Sequence, residues 1–91
     1  MSYRLILHAT AVDEIGALPK TIKPRVKAAI DSLAETPVSR AASRLKGRAN
    51  AYRLRVGNYR IIYEVHAAEV VVYIVGVAHR KEVYRRLLRR R

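Results

Sequence analysis

Cysteine is absent from this chain, which excludes a disulfide framework and a thiolate metal site and permits a reducing compartment. The three histidines are scattered and the carboxylates are not clustered, so we expect no metal ion and no other cofactor. Long hydrophobic runs are also missing, and residues 1–8 are too short for a signal-peptide core. We therefore expect a cytoplasmic protein without a membrane partner.

Acidic residues are scarce. The chain has 7 Asp and Glu against 19 Lys and Arg, which gives a formal net charge of +12 in 91 residues. Such an excess is far beyond what solubility requires, and it favours binding to nucleic acid, an acidic protein or an anionic membrane surface. The length and a hydrophobic content of 51% suit one compact unit, so we predict a single domain over residues 1–91.

Apolar periodicity predicts an α+β fold. The expected elements are a strand at 3–8, a helix from Thr10 to Pro19 with Val12, Ile15 and Leu18 inward, a helix from Thr21 to Pro37, a hairpin at 52–63, a buried strand at 70–77 and a short C-terminal helix at 82–91. Residues 38–50 are interpreted as a loop with a short edge strand near Leu45. In this β-α-α-β-β-β order a helical hairpin covers one face of an antiparallel sheet and leaves the other face free for binding.

The hairpin between Tyr52 and Tyr63 carries its arginines in one phase. Alternate side chains of a strand share a face, so Arg53 and Arg55 project together. A two-residue loop at Gly57-Asn58 fits a type II′ turn with a positive φ at the glycine, and this register places Arg55 opposite Arg60. Like charges directly opposite each other destabilise a sheet, so the three arginines indicate an anionic ligand.

Three segments resemble the RelE/ParE toxin family of bacterial and archaeal toxin–antitoxin modules. They are Leu-Lys-Gly at 45–47, the hairpin at 52–63, and Ala-His-Arg-Lys-Glu-Val-Tyr at 78–84. The resemblance covers nearly the whole chain, and a hairpin followed by an arginine and a C-terminal tyrosine is typical of the RelE branch. It implies a RelE-like fold and a ribosome-dependent endoribonuclease that cuts mRNA in the A site and so inhibits translation.

The resemblance also implies site residues. Arg53 and Arg55 match the basic pair that the RelE branch has on one strand, Arg60 its hairpin arginine, Arg80 the arginine after the last strand, and Tyr84 its C-terminal tyrosine. RNA is cleaved without metal when its 2′-hydroxyl attacks the adjacent phosphorus, and arginines can stabilise the charge that develops on the phosphate. Tyr84 would stack on an unstacked base or assist proton transfer.

The proton acceptor of this reaction stays open. Some RelE-like toxins have lysine at the strand pair, and lysine can release a proton, whereas the arginines of this chain effectively cannot. His79 is the first substitute because imidazole titrates near neutral pH, and Glu64 is the second. His79 is equally compatible with a structural role at the end of a strand.

Partners and alternative functions follow from the resemblance and from the charge of the chain. It implies a cognate antitoxin, small and either acidic or amphipathic and helical, in a toxin–antitoxin hetero-oligomer. Lys46 would contact ribosomal RNA, and Arg85 and Arg86 would attract RNA or the antitoxin. Two other functions remain open: a ParE-like inhibitor of DNA gyrase without nuclease activity, and a noncatalytic basic module that binds RNA or an acidic protein.

Overall fold

The computed structural model describes residues 2–83. Its elements, in chain order, are β1 (Arg4–Leu7), α1 (Ala9–Gly16), α2 (Lys23–Ser32), β2 (Ala42–Arg44), β3 (Ala51–Val56), β4 (Tyr59–His66) and β5 (Val71–His79). Residues 80–83 begin a further helix, and the rest of the expected C-terminal helix lies outside the described residues. The predicted α+β class is confirmed, and β2 supplies the short edge strand expected near Leu45. None of the helices in the part that is described is long and apolar enough to cross a membrane.

The strands form one mixed sheet in the order β1-β5-β4-β3-β2. Strands β2 to β5 pair with their neighbours in antiparallel fashion. Strand β1 runs parallel to β5, with Arg4 opposite Val71, which differs from the antiparallel sheet expected from sequence. Parallel neighbours need a long connection, and the whole of residues 8–70 provides it here.

Strand β5 lies between β1 and β4 and is buried on both of its faces. Val72 and Ile74 are fully buried on one side, and Val75 and Ala78 are buried on the other. The near-continuous apolar run of this segment predicted such an interior strand, and the prediction is confirmed.

The two helices cover one face of the sheet, here called the helix face. The main core on this face consists of Ala11, Ile15, Leu18, Val26, Ile30, Leu33, Leu54, Val56, Ile61, Tyr63, Val72, Ile74 and Val77. The prediction that Val12 points inward is wrong, since 52% of this residue is exposed. Helix α1 begins at Ala9 rather than after Thr10, and the fully buried Ala11 takes the inward position instead.

The opposite face, here called the arginine face, carries a second and smaller apolar cluster. Its members are Leu45, Ala51, Ile62, Val75, Ala78 and Val83. Val83 is only 2% exposed, although it belongs to the helical turn that follows β5. The face predicted to be free is therefore partly covered, and the arginines occupy the remainder.

The β3–β4 hairpin has the register that the sequence predicted. Val56 lies opposite Tyr59, and Arg55 lies opposite Arg60. Gly57 has a φ of +58°, whereas Asn58 does not have a positive φ, as a type II′ turn requires.

A β-bulge interrupts the pairing of β4 with β5. Tyr63 pairs with Ile74, but the preceding residue, Ile62, pairs with Gly76. Val75 is therefore the extra residue on β5 and has no partner on β4. A bulge of this kind bends its strand and changes the direction of every side chain that follows.

The bulge decides which residues at the end of β5 face which side. Ile74 and Val77 are three positions apart, yet both lie in the main core, and Ala78 lies on the arginine face. With unbroken two-residue alternation from Ile74, His79 would lie on the arginine face and Arg80 on the helix face. Because of the bulge, His79 lies on the helix face instead, and Arg80 lies on the arginine face.

Candidate active site

A cleft on the arginine face brings together the four arginines that the sequence analysis selected as catalytic. It is lined by Arg53, Arg55, Arg60, Arg80, Lys81, Ala41, Ser43 and Val83, and its volume is about 630 Å³. We call it the arginine cleft. The lining has a positive wall of five cationic side chains and a small apolar part.

Three of the arginines come from the hairpin. Arg53 and Arg55 share the arginine face because they alternate along β3 with side chains of the main core. Arg60 joins them because the tight turn places it directly opposite Arg55. Its Nη1 donates hydrogen bonds to the carbonyl oxygens of Tyr59, at 3.1 Å, and Gly57, at 3.4 Å. Arg55 Nε donates to the same Gly57 oxygen at 3.4 Å, so the turn itself holds both guanidinium groups.

Arg80 comes from the end of β5. Its backbone N–H donates to the carbonyl oxygen of Asn58 at 2.7 Å, which extends the β4–β5 ladder as far as the hairpin turn. The preceding Ala78 lies opposite Arg60 on the arginine face, in the phase set by the bulge. The arginine after the last strand is thereby fixed beside the three arginines of the hairpin.

His79, the first candidate for the proton acceptor, is not brought into the cleft. It lies opposite Tyr59 and packs against that ring, with the ring centroids 5.5 Å apart and the planes at 82°. Its Nδ1 accepts a hydrogen bond from the backbone N–H of Lys81 at 3.3 Å, so a neutral ring carries its proton on Nε2. These contacts are those of a structural histidine at the end of a strand.

Two other residues selected from the sequence also lie outside the lining. Glu64 is on the arginine face but contacts His66, with 3.1 Å between Oε1 and Nε2. Lys46 is exposed in the loop between β2 and β3. Neither side chain is placed to take a proton from a ligand in the arginine cleft.

Sequence reasoning missed Ser43 and Lys81. Ser43 pairs with Arg53 from the edge strand β2, whose three residues are too few for an alternating pattern to reveal. Lys81 directly follows Arg80, so its proximity to the site was readable from the sequence. Lys81 is the one lining side chain among the described residues that is cationic and can also release a proton.

Tyr84, Arg85 and Arg86, the remaining candidates, lie outside the described residues. Val83 precedes Tyr84 directly and is buried beside the cleft.

The cleft is suited to an anion with several oxygen atoms. Arginine presents planar, fixed donors that match phosphate oxygens, and lysine adds a point charge. Among the described residues, the lining contains neither a carboxylate nor an imidazole. Like charges at this density favour the bound state of a polyanion over the empty cleft.

Comparison with known proteins identifies the family of this chain. A family model described as "ParE toxin of type II toxin-antitoxin system, parDE" matches residues 5–84. The mRNA interferase toxin RelE of Escherichia coli is 31% identical over 94 residues, which covers 99% of this chain and 98% of that protein.

Solved structures with similar folds are also RelE toxins. The isolated E. coli RelE toxin is 28% identical with a TM-score of 0.77, and 98% of each chain is covered. In the archaeal RelE–RelB complex from Pyrococcus horikoshii, the matching chain is 33% identical with a TM-score of 0.77, and 88% of this chain and 97% of that chain are covered. The chain therefore belongs to the RelE/ParE family of toxins from type II toxin–antitoxin systems.

Proposed function

We propose that this chain is a ribosome-dependent endoribonuclease that inhibits translation by cutting mRNA in the A site. The observation that carries the proposal is the arginine cleft, found in a chain that aligns over almost its full length with an mRNA interferase. A bound RNA strand would place its scissile phosphate among the cationic groups of the cleft. Residues 1–91 would act as one domain.

The arginine cleft supports cleavage by internal attack. The 2′-hydroxyl loses its proton and attacks the adjacent phosphorus, and the bond from phosphorus to the 5′-oxygen breaks. A 2′,3′-cyclic phosphate is left, and the departing 5′-oxygen takes a proton from water to become a 5′-hydroxyl. Arg53, Arg55, Arg60 and Arg80 would hold the phosphate oxygens in line and stabilise the extra negative charge of the transition state. Removing one such preorganised donor typically costs about 10²–10³ in rate.

We assign Lys81 as the group that accepts the proton of the 2′-hydroxyl. The side-chain amine of a lysine is a possible proton acceptor, whereas a guanidinium effectively is not. Lys81 lines the cleft, and His79 packs against Tyr59 on the other face of the sheet. This assignment supplies the proton acceptor that the arginine pair on β3 lacks.

The remaining roles rest on the family and on the chemistry of the lining. Guanidinium and ammonium groups repel divalent cations, so the reaction would proceed without metal. Tyr84 would stack on a base of the mRNA. Lys46, Arg85 and Arg86 would contact ribosomal RNA, and the reaction would take place in the cytoplasm.

An antitoxin partner is part of the proposal. Relatives with 26–33% identity to this chain have been solved as RelB–RelE antitoxin–toxin complexes from E. coli, Methanococcus jannaschii and P. horikoshii. The strongly basic composition suits a small acidic or amphipathic partner. We propose that this chain is likewise held inactive in a hetero-oligomer.

Inhibition of DNA gyrase is the second candidate function. The family model that matches residues 5–84 is described as a ParE toxin, and this observation favours it. A gyrase inhibitor would not require five cationic side chains around one cleft.

Primer extension on an mRNA translated in vitro distinguishes these functions. We expect cuts at codon positions only when ribosomes are present, and we expect Arg80→Ala to lower their rate by about 10²-fold or more. Arg40→Ala is the matched control, because Arg40 is exposed and does not line the cleft. Intact mRNA together with gyrase-dependent DNA breaks would overturn the proposal in favour of the second candidate.

A further inference from the structure

Glu14 makes a contact that no catalytic role explains. It lies on α1, on the helix side of the sheet, and its Oε1 accepts a hydrogen bond from the backbone N–H of Val77 at 2.8 Å. The arginine cleft is formed on the opposite face, and Glu14 does not line it. The carboxylate therefore acts on β5 and not on a ligand.

The position of Val77, just after the bulge in β5, explains why its N–H needs this acceptor. Val77 is the second residue after the bulge residue Val75, and it precedes Ala78, whose partner across the ladder is Arg60. Strand β1 ends at Leu7 opposite Ile74, so it offers no carbonyl oxygen to the N–H of Val77. A buried backbone N–H without an acceptor is costly, and the Glu14 carboxylate takes the place of the missing strand.

We propose that Glu14 is a positioning residue that holds the bulged register of β5 and thereby places Arg80 in the arginine cleft. A slip of β5 to the register without a bulge would exchange the faces of His79 and Arg80 and would move the N–H of Val77 away from the carboxylate. The bond at 2.8 Å exists only in the bulged register, so it favours the register in which Arg80 faces Arg60. The functional consequence of this inference rests on the proposed RNA cleavage.

Three substitutions of Glu14 separate the effect of its side-chain length from the effect of its negative charge. Glu14→Ala removes the acceptor, and Glu14→Asp keeps the charge but is one methylene shorter. Glu14→Gln keeps an oxygen at the same reach without the charge. We expect Ala and Asp to lower the rate of mRNA cleavage by about tenfold or more, since a misplacement of ~1 Å in an active site can cost two orders of magnitude. We expect Gln to retain most of the activity.

Asp13→Ala is the matched control. Asp13 is the exposed neighbour of Glu14 on α1, so this substitution removes the same charge from the same helix. It should leave cleavage unchanged.

A double-mutant cycle with Arg80→Ala distinguishes positioning from general destabilisation. If Glu14 acts through Arg80, Glu14→Ala should lower the residual cleavage rate little once Arg80 has been removed. An equal loss in both backgrounds, or wild-type cleavage by Glu14→Ala, would overturn the inference. If Glu14→Ala does not fold, the same cycle is run with Glu14→Asp.

Hydrogen exchange gives a readout that does not depend on activity. The Val77 amide should be protected in the wild type and in Glu14→Gln, and it should exchange faster in Glu14→Asp. Equal protection in all three proteins would refute the inference. Failure of the wild type to cut ribosome-bound mRNA would instead refute the proposed function, and the exchange measurement would still decide the role of Glu14.

Discussion

Arg55 and Arg60 lie directly opposite each other on β3 and β4, and both donate hydrogen bonds to the carbonyl oxygen of Gly57 at 3.4 Å. The turn that sets the register of the hairpin thus also holds the two charges side by side. Like charges at opposite positions repel each other across a sheet, and a bound phosphate would reduce that repulsion. Repulsion of this kind is typical of a site that is preorganised for an anion.

Replacing Arg55 with threonine should stabilise the free protein. Threonine is a good β-former, and removal of one of two opposed charges should raise the free energy of unfolding by about 0.2–1 kcal/mol. The gain should shrink at high salt, because salt screens the repulsion. Thermal unfolding at two ionic strengths measures both effects.

The same substitution should lower mRNA cleavage by about 10²-fold or more, since it removes a donor to the transition state. Arg40→Thr removes an exposed arginine outside the cleft and should change neither cleavage nor stability to a comparable extent. If Arg55→Thr were less stable than the wild type, the opposed pair would not be a source of repulsion.

Lys81 should be required because it accepts a proton and not only because it carries a positive charge. Lys81→Arg keeps the positive charge but removes the ability to accept a proton, so it should lose cleavage to nearly the same extent as Lys81→Met. His79→Gln is the control, and it should cut mRNA with an unaltered pH profile because His79 contacts Tyr59 on the other face. Full activity of Lys81→Arg would reduce Lys81 to an electrostatic role. Single-turnover cleavage rates across pH measure all three variants.

Tyr63 should make the stability of the fold depend on pH in the alkaline range. Burial raises the pKa of its phenol from 10.0 to about 12, with a smaller contribution from Tyr52, and the neutral hydroxyl donates to the Pro37 carbonyl oxygen at 2.7 Å. Because the pKa is raised in the folded state, the stabilisation is complete below pH 10 and is lost as the pH rises to about 12. A shift of this size corresponds to at most about 2.7 kcal/mol.

Tyr63→Phe isolates this effect. It removes one hydrogen bond and should cost about 1 kcal/mol at neutral pH. The difference in unfolding free energy between the two proteins should then disappear and reverse between pH 10 and 12. A constant difference across that range, measured by urea unfolding, would show that the Tyr63 phenol does not titrate as its environment implies.

Val70 should be a site at which the fold can be stabilised. It lies in the turn between β4 and β5 with a φ of +56°, a left-handed conformation that is unfavourable for a β-branched side chain. Asparagine tolerates this conformation, so Val70→Asn should raise the free energy of unfolding by about 1 kcal/mol. Ala67→Asn in the same turn is the control, since Ala67 does not have a positive φ. If both variants were stabilised equally, the gain would come from the polar side chain in the turn and not from relief of the positive φ at Val70.

Most of the elements were readable from sequence because each has a strong local signal. The alternation of Arg53, Leu54 and Arg55 fixed the faces of β3, and Gly57-Asn58 fixed the register with Arg60. Similarly, Val26 and Ile30 gave the buried stripe of α2. The error at Val12 arose because the spacings Val12–Ile15 and Ala11–Ile15 both fit one face of a helix. The size of the side chain does not decide whether Ala11 or Val12 packs on the sheet, and Ala11 is the residue in the main core.

The chain by itself determined the cationic character of the candidate site. Its excess of cations, its hairpin and the phase of Arg53, Arg55 and Arg60 follow from composition, side-chain alternation and turn chemistry, all of which are local. Tertiary structure decided the rest of the site. The apolar run of β5 has no alternation from which its faces can be read, so only its pairing with β4 shows the bulge at Val75. That bulge, tied by Glu14 from a distant helix, brings Arg80 to the cleft and turns His79 away from it.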